Sequence, residues 1–244
     1  MSSLNEQKDL ITSQIFDKQN LSNDLKEGCE KQDKLHRKIT SMQLICMNNK
    51  AISILPDVKD FIINRESFKD LKICYAYLHF HFIEKNAKYE SPANPTGELY
   101  YIIINSNLPN LENLSQTAYK AYQVNDNGFI NDLNLGGDDF NNFKERFKNG
   151  IGELIKTRSN ITKITEYITF TKVAVENFRA SMSNTDNMVV KLICIDKNCV
   201  EDGQNDEVNE YLRCSENQNR MSLAFQQINV TPTDDFYDIG NMQP

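Results

Sequence analysis

Apolar residues recur along residues 1–50 at the alternating three- and four-residue steps of a single helix face. On a heptad frame, one seam takes Leu4, Ile11, Lys18, Leu25, Gln32, Ile39 and Cys46. The other takes Gln7, Gln14, Leu21, Gly28, Leu35, Met42 and Asn49. A repeat of 3.5 residues is the mark of a coiled-coil seam. Ser3 and Glu6 fit a capping box, and no Pro precedes Pro56. The pattern predicts a long amphipathic helix over 1–50. Its apolar stripe is too narrow to hold a lone helix in water, so it must pack on something. Leu4, Ile11, Leu21, Leu25, Leu35, Ile39 and Met42 are the expected interaction residues; the candidate partners are a second copy, a helix of a partner protein or the body of this chain, and an intermolecular bundle is favoured, with a homo-oligomer expected.

Residues 51–70 read as a linker and a short helix, with Asp57 as cap and Val58, Phe61 and Ile62 facing inward. From Leu71 the period changes to two. Cys74, Ala76, Leu78, Phe80 and Phe82 fall on one face of a strand over Leu71–Glu84, and Tyr75, Tyr77, His79, His81 and Ile83 on the other. Glu98–Asn105 is apolar on both faces and so belongs inside a covered sheet. The two predict an antiparallel hairpin. Residues 106–137 read as surface loop with one short strand at Ala118–Val124. Phe140, Phe143, Phe147, Ile151 and Leu154 form one helical stripe after Gly136 and Gly137, with Asp138 as the expected N-cap.

A further helix is expected from Ser159 or Asn160 to Met182, with a strand inside Tyr167–Val175 as the alternative, because Ile, Thr and Val disfavour helix. Strands follow at Met188–Asp196 and Met221–Val230, with a weaker one at Val208–Cys214. The expected fold is therefore α+β: a long N-terminal amphipathic helix, then a mainly antiparallel sheet with two or three packed helices. The expected divisions are 1–50 for the helix, 51–70 for linker and short helix, 71–231 for the globular domain, and 232–244 for an acidic tail.

Composition changes this picture in three places. The net charge of −7 belongs to the C-terminal fifth, where residues 196–244 carry 3 basic and 10 acidic groups. Without a basic face the chain is not expected to bind nucleic acid. The N-terminus is polar and no apolar run is long enough to span a bilayer, so no membrane is expected and a cytoplasmic, intracellular protein is. The 30 Asn and 23 Ile suggest an AT-rich genome, and with it a viral or effector protein as a third reading. The cysteines at 29, 46, 74, 194, 199 and 214 are irregularly spaced and contain no CxxC, which favours free thiols over zinc or a disulfide framework. Four Asn-x-Ser/Thr sequons, at Asn20, Asn113, Asn160 and Asn229, are no more than so much Asn would produce.

One candidate chemistry remains. His79 and His81 sit at i and i+2, so both imidazoles point the same way from a strand and can share one divalent metal. Further ligands would have to come from elsewhere in the fold. No GxSxG, Walker or EF-hand pattern is present, so no catalytic residue and no resident cofactor is assigned and an enzyme is disfavoured. The reading favoured is a non-enzymatic structural or interaction protein that self-assembles or docks through its N-terminal helix and presents an α+β domain to a protein partner. The alternative is a metal- or small-ligand-binding protein built on the His79/His81 face.

Overall fold

The computed structural model of the 244-residue chain describes residues 37–55, 60–85, 97–112, 114, 118–181, 188–201, 206–227, 236–238 and 241–243. Leu4, Ile11, Leu21, Leu25 and Leu35, with most of the expected N-terminal helix, lie outside the described residues. The fold is α+β. Two antiparallel sheets pack against each other, with a few helices around them.

The chain enters the described unit through strand β1 (Arg37–Ile39), and helix α1 (Ser41–Ile54) follows. The expected unbroken helix over 1–50 is therefore interrupted, and Ile39 lies in a strand and is buried. The interruption has a local cause. Thr40 Oγ1 accepts from Gln43 N at 3.1 Å, and Gln43 Oε1 accepts from Thr40 N at 3.1 Å. This capping box satisfies two helix-start donors and begins a new helix at Ser41. Residues 51–54 are the last turn of α1, not linker.

Strand β2 (Phe61–Ile63) and helix α2 (Arg65–Asp70) replace the short helix expected around Val58–Ile62. Asn64 caps α2 by accepting from Ser67 N at 3.0 Å, a cap seven residues later than the expected Asp57. Next come β3 (Tyr77–Lys85), β4 (Glu98–Ser106), β5 (Tyr119–Val124) and β6 (Ile130–Leu133). The β3–β4 hairpin has the expected antiparallel pairing, with His79 opposite Ile104 and His81 opposite Ile102. β6 lies where surface loop was expected. Asn125 makes that hairpin turn, its Oδ1 accepting from Asn127 N and Phe129 N at 3.0 Å.

Helix α3 (Gly137–Phe147) starts two residues earlier than expected. Gly136 is the N-cap, and Asp139 reaches back to accept from Gly136 N at 3.2 Å. A widened turn at Lys148–Gly152 leads into α4 (Glu153–Ser159). A Cβ on Gly150 would overlap the buried Glu84 carboxylate, and Glu84 Oε2 accepts from Ile151 N at 3.4 Å. A side chain at this position would have to displace that carboxylate from its bond with Ile151 N.

The helix expected over 160–182 divides into strand β7 (Tyr167–Thr171) and helix α5 (Lys172–Ser181), so the strand alternative holds for its first half. Strand β8 (Met188–Cys194), helix α6 (Asp206–Arg213) and strands β9 (Met221–Gln227), β10 (Phe236–Asp238) and β11 (Asn241–Gln243) complete the order. α6 overturns the weak strand expected at Val208–Cys214. Val208, Tyr211 and Leu212 recur at helical spacing and are buried on one side. The expected acidic tail instead supplies β10 and β11, one to each sheet.

The first sheet runs β1-β10-β9-β8-β2 and the second β11-β7-β3-β4-β5-β6. Aromatic rings join them. Phe225 of the first sheet meets Phe80 at 5.0 Å and Phe170 at 5.2 Å, and Phe61 meets Tyr101 at 5.1 Å, all edge-on. Edge-to-face contacts of this kind suit the ring quadrupoles. The described residues from 37 onward belong to one compact unit, so β1, α1 and β2 are parts of the globular domain.

The cysteines depart from expectation. Cys46 on α1 and Cys199 in the turn after β8 are joined by a disulfide, their Cα atoms 5.7 Å apart and 153 residues apart in sequence. Cys214 is disulfide-bonded as well. Cys74 and Cys194 are free. Irregular spacing does not exclude disulfides between elements far apart in sequence, because the fold and not the spacing brings them together.

Candidate functional site

The alternation along β3 sends Leu78, Phe80 and Phe82 toward the first sheet and His79 and His81 to the opposite face. Both imidazoles are fully buried there. Around them gather Ile83, Ile102, Ile104, Leu111, Leu114, Phe140 and Tyr167. α3 covers this face, placing Phe140 edge-on to His81 at 5.0 Å, and Tyr167 stacks on His81 at 5.9 Å.

The two rings differ in what holds them. His79 Nε2 lies 3.0 Å from Leu108 O, which can only accept, so Nε2 carries the proton. Nδ1 then accepts from Thr169 Oγ1 at 2.9 Å. Ser106 Oγ is 3.2 Å from Nε2. His81 makes no hydrogen bond to the described residues through either nitrogen. The Phe82 backbone lies close enough to favour the charged ring slightly without meeting hydrogen-bond geometry. Burial lowers His79 to about 4, with the Leu108 carbonyl opposing. Burial lowers His81 to about 3, and Lys144, Lys148 and His79 add to the effect. Both rings are therefore neutral at physiological pH.

The expected pair thus shares one face as its spacing required. Among the described residues, no group of three or more His, Cys, Asp and Glu side chains is placed to hold a metal ion. The buried carboxylate of Glu166 serves another end. Glu166 is buried and pairs with Lys148 at 2.8 Å and Lys144 at 3.6 Å, tying α3 to the start of β7.

The acids after β8 are likewise structural ties. Asp196 Oδ1 accepts from Asn198 N at 2.9 Å, and its other oxygen pairs with Lys50 of α1 at 3.5 Å. Glu201 accepts from Thr40 Oγ1 at 2.9 Å. Gln43 Nε2 donates to Asn209 of α6 at 3.2 Å. With the Cys46–Cys199 bridge, these contacts hold α1 on its inner side, where Leu44, Met47, Ala51 and Ile54 are buried.

The outer side of α1 is the surface feature that distinguishes it. Met42 is 73% exposed, Ile45 59% and Ile52 40%. At i, i+3 and i+10 they form one stripe down the helix with Asn49 between them. Of the expected interaction residues within the described region, Met42 lies on this stripe and Ile39 is inside the core. Ile45 and Ile52 were missed because they lie off both heptad seams. The signal was present, since Met42, Ile45, Asn49 and Ile52 share a 3-4-3 spacing.

A surface cleft of about 520 Å³ opens beside α2 and the β5–β6 hairpin, where Glu66, Asp70, Lys72, Lys120 and Asp132 mix both charges. Tyr122 Oη, also at this cleft, is engaged by Lys72 O at 2.9 Å. No helix among the described residues is long and apolar enough to cross a membrane. No protein-family model, no curated protein and no solved structure matches the chain.

Proposed function

We propose that the chain is a non-enzymatic interaction protein that associates with a second copy of itself through its N-terminal region, with the outer stripe of α1 as part of the contact. The observation that carries this is the exposed run Met42, Ile45 and Ile52 on a helix fixed from behind. Each exposed apolar side chain in water forgoes burial worth roughly 1.5–3 kcal/mol. A scattered few need no explanation, but a stripe on a rigid helix is a surface fit for docking. The occupant follows from the sequence that leads into it. Residues 1–36 carry Leu4, Ile11, Leu21, Leu25 and Leu35 at heptad spacing, a pattern that pairs with its equal. A contact made by one patch on both partners closes on itself as a dimer. The burial of the two domain imidazoles supports a non-catalytic role, since neither ring is open to substrate.

Sedimentation of the full-length protein tests this. Wild type is expected to be a dimer or larger. The triple variant Met42→Glu, Ile45→Glu and Ile52→Glu is expected to shift toward monomer with unchanged circular dichroism. A wild-type chain that is monomeric across its usable concentration range overturns the proposal.

A second reading rests on His81, whose two ring nitrogens are buried without a hydrogen-bond partner. In it, His81 is a ligand of a divalent metal, and His79 joins it by exchanging its bond with Leu108 O or Thr169 Oγ1 for the metal. Elemental analysis of purified protein, with His79→Ala as the control, tests it. A metal-free preparation unchanged by added zinc overturns it.

The disulfides bear on compartment. Stable disulfides belong to oxidising surroundings, which favours a lumenal or extracellular site over the cytoplasm expected from the polar N-terminus.

A further inference from the structure

Helix α4 ends at Asn160, whose backbone turns left-handed with φ 53° and ψ 46°. Among side-chain-bearing residues, Asn is one of the few that enter this region readily, and it serves as a helix C-cap for that reason. Its N–H meets the carbonyls of Lys156 and Thr157, and Ile161 N follows to Lys156 O at 3.2 Å. Ile161 is half-buried and packs on the main core. The turn is thus anchored at its middle residue, while Asn160 and Thr162 on either side are exposed. No hydrogen bond ties the Asn160 side-chain amide to the described residues.

Asn160-Ile161-Thr162 is an N-x-Thr sequon. By itself it is one of several that an Asn-rich chain contains by chance. Two structural observations change its standing. The acceptor Asn160 and Thr162 are both exposed residues at a tight turn whose backbone is fixed by the Asn160 and Ile161 N–H bonds. And the Cys46–Cys199 bond, with Cys214 also bridged, fits the oxidising surroundings where N-glycosylation takes place.

We infer that Asn160 is an acceptor for an N-linked oligosaccharide. The donor class is a polyprenyl-diphosphate-linked oligosaccharide. Asn160 Nδ2 forms a bond to the sugar's anomeric carbon, and the bond from that carbon to the diphosphate oxygen breaks. The polyprenyl diphosphate leaves, and the amide gives up one proton. The inference rests on the disulfides and the turn, and is independent of whether the chain self-associates.

The test uses the full-length chain directed into the endoplasmic reticulum of a eukaryotic expression host. Peptide mass after enzymatic deglycosylation in heavy-oxygen water marks each occupied Asn, so Asn20, Asn113 and Asn229 are scored separately. Occupancy at Asn160 is expected, in protein whose Cys46–Cys199 bridge is closed. Thr162→Ala is expected to abolish that occupancy without disturbing the left-handed Asn160, and Thr162→Ser to retain it. An unmodified Asn160 in disulfide-closed protein overturns the inference. So does a glycan found at Asn160 only in chains that fail to close the bridge.

Discussion

Two helices, α1 and α3, solve the same structural problem with opposite outer surfaces. In each sheet a short strand runs out beside a longer one. β2 pairs with β8 only as far as Val190, and there α1 takes over, Asn48 Nδ2 donating to Leu192 O at 2.8 Å. β7 pairs with β3 only as far as His81, and the next donor, Phe82 N, goes to Glu166 O at 2.8 Å. α3 and the widened turn after it close that gap, Phe140 over His81 and Phe147 stacked on Phe82 at 5.9 Å. The inner faces are equally apolar. The outer face of α3 is Asp138, Asp139, Asn141, Asn142 and Glu145, the ordinary solvent side of an amphipathic helix. That of α1 holds Met42, Ile45 and Ile52. Closing a sheet requires one apolar face, and the second on α1 is not needed for that task.

The helices also differ in what they cover, and pH exposes this most strongly. α3 seals two imidazoles, whereas α1 covers aliphatic side chains. A buried neutral His has its folded value below the ordinary 6.5. Between pH 6.5 and that lower value the unfolded chain binds protons the fold refuses. Stability therefore falls as pH drops from 6.5 toward 4 for His79 and toward 3 for His81, and levels off below. The loss at the acid end is on the order of 3 kcal/mol for His79 and 5 kcal/mol for His81. Lys144 of α3 and Lys148 of the turn after it deepen the loss for His81, while both pair with Glu166. His81→Phe keeps the stacking on Tyr167 and removes the titration. Chemical denaturation from pH 7 to 4 is expected to show a shallower decline for this variant. An unchanged slope would show that His81 is not the proton-linked group.

Next in size are the inner anchors. Phe147→Ala empties a fully buried site on the second sheet's helix and is expected to cost about 3–5 kcal/mol. On α1 the equivalent restraint is covalent. Replacing both Cys46 and Cys199 with Ser reopens a 153-residue separation and is expected to cost about 2–5 kcal/mol. Denaturant midpoints measure both. If the double Ser variant loses nothing, the bridge is dispensable to α1 and the rigidity argued for its stripe is lost.

Much of this fold was legible from period and polarity. The β3–β4 hairpin was, because its strands are long and one alternates so plainly. The α3 stripe was too, since Phe140, Phe147 and Ile151 repeat at helical spacing and all are buried. What escaped notice was set by tertiary context. The Thr40–Gln43 capping box breaks an otherwise continuous heptad reading. β10 and β11 are three-residue strands among acids and gain their stability from the edges they join. Asn105 reads as a strand end, yet it is buried, its Oδ1 accepting from Cys74 N at 2.7 Å and its Nδ2 donating to Tyr77 O at 2.7 Å. At the candidate site, spacing put His79 and His81 on one face correctly, but could not say that α3 would shut them in. The outer stripe of α1 was obscured because a heptad frame assigns Ile45 to no seam.

The smallest effect on stability is also the sharpest test of the comparison. Ile45→Gln on α1 replaces an exposed apolar side chain with one of similar reach and good helix propensity. Within a monomer such a change alters stability by less than about 0.5 kcal/mol. The matching change on α3, Asn142→Gln, is expected to do as little. The two should part only in assembly. If the second apolar face of α1 is an interface, Ile45→Gln weakens self-association measured by sedimentation equilibrium, and Asn142→Gln leaves it untouched. Equal association constants for the two variants would mean that the outer faces of α1 and α3 differ in composition and not in use.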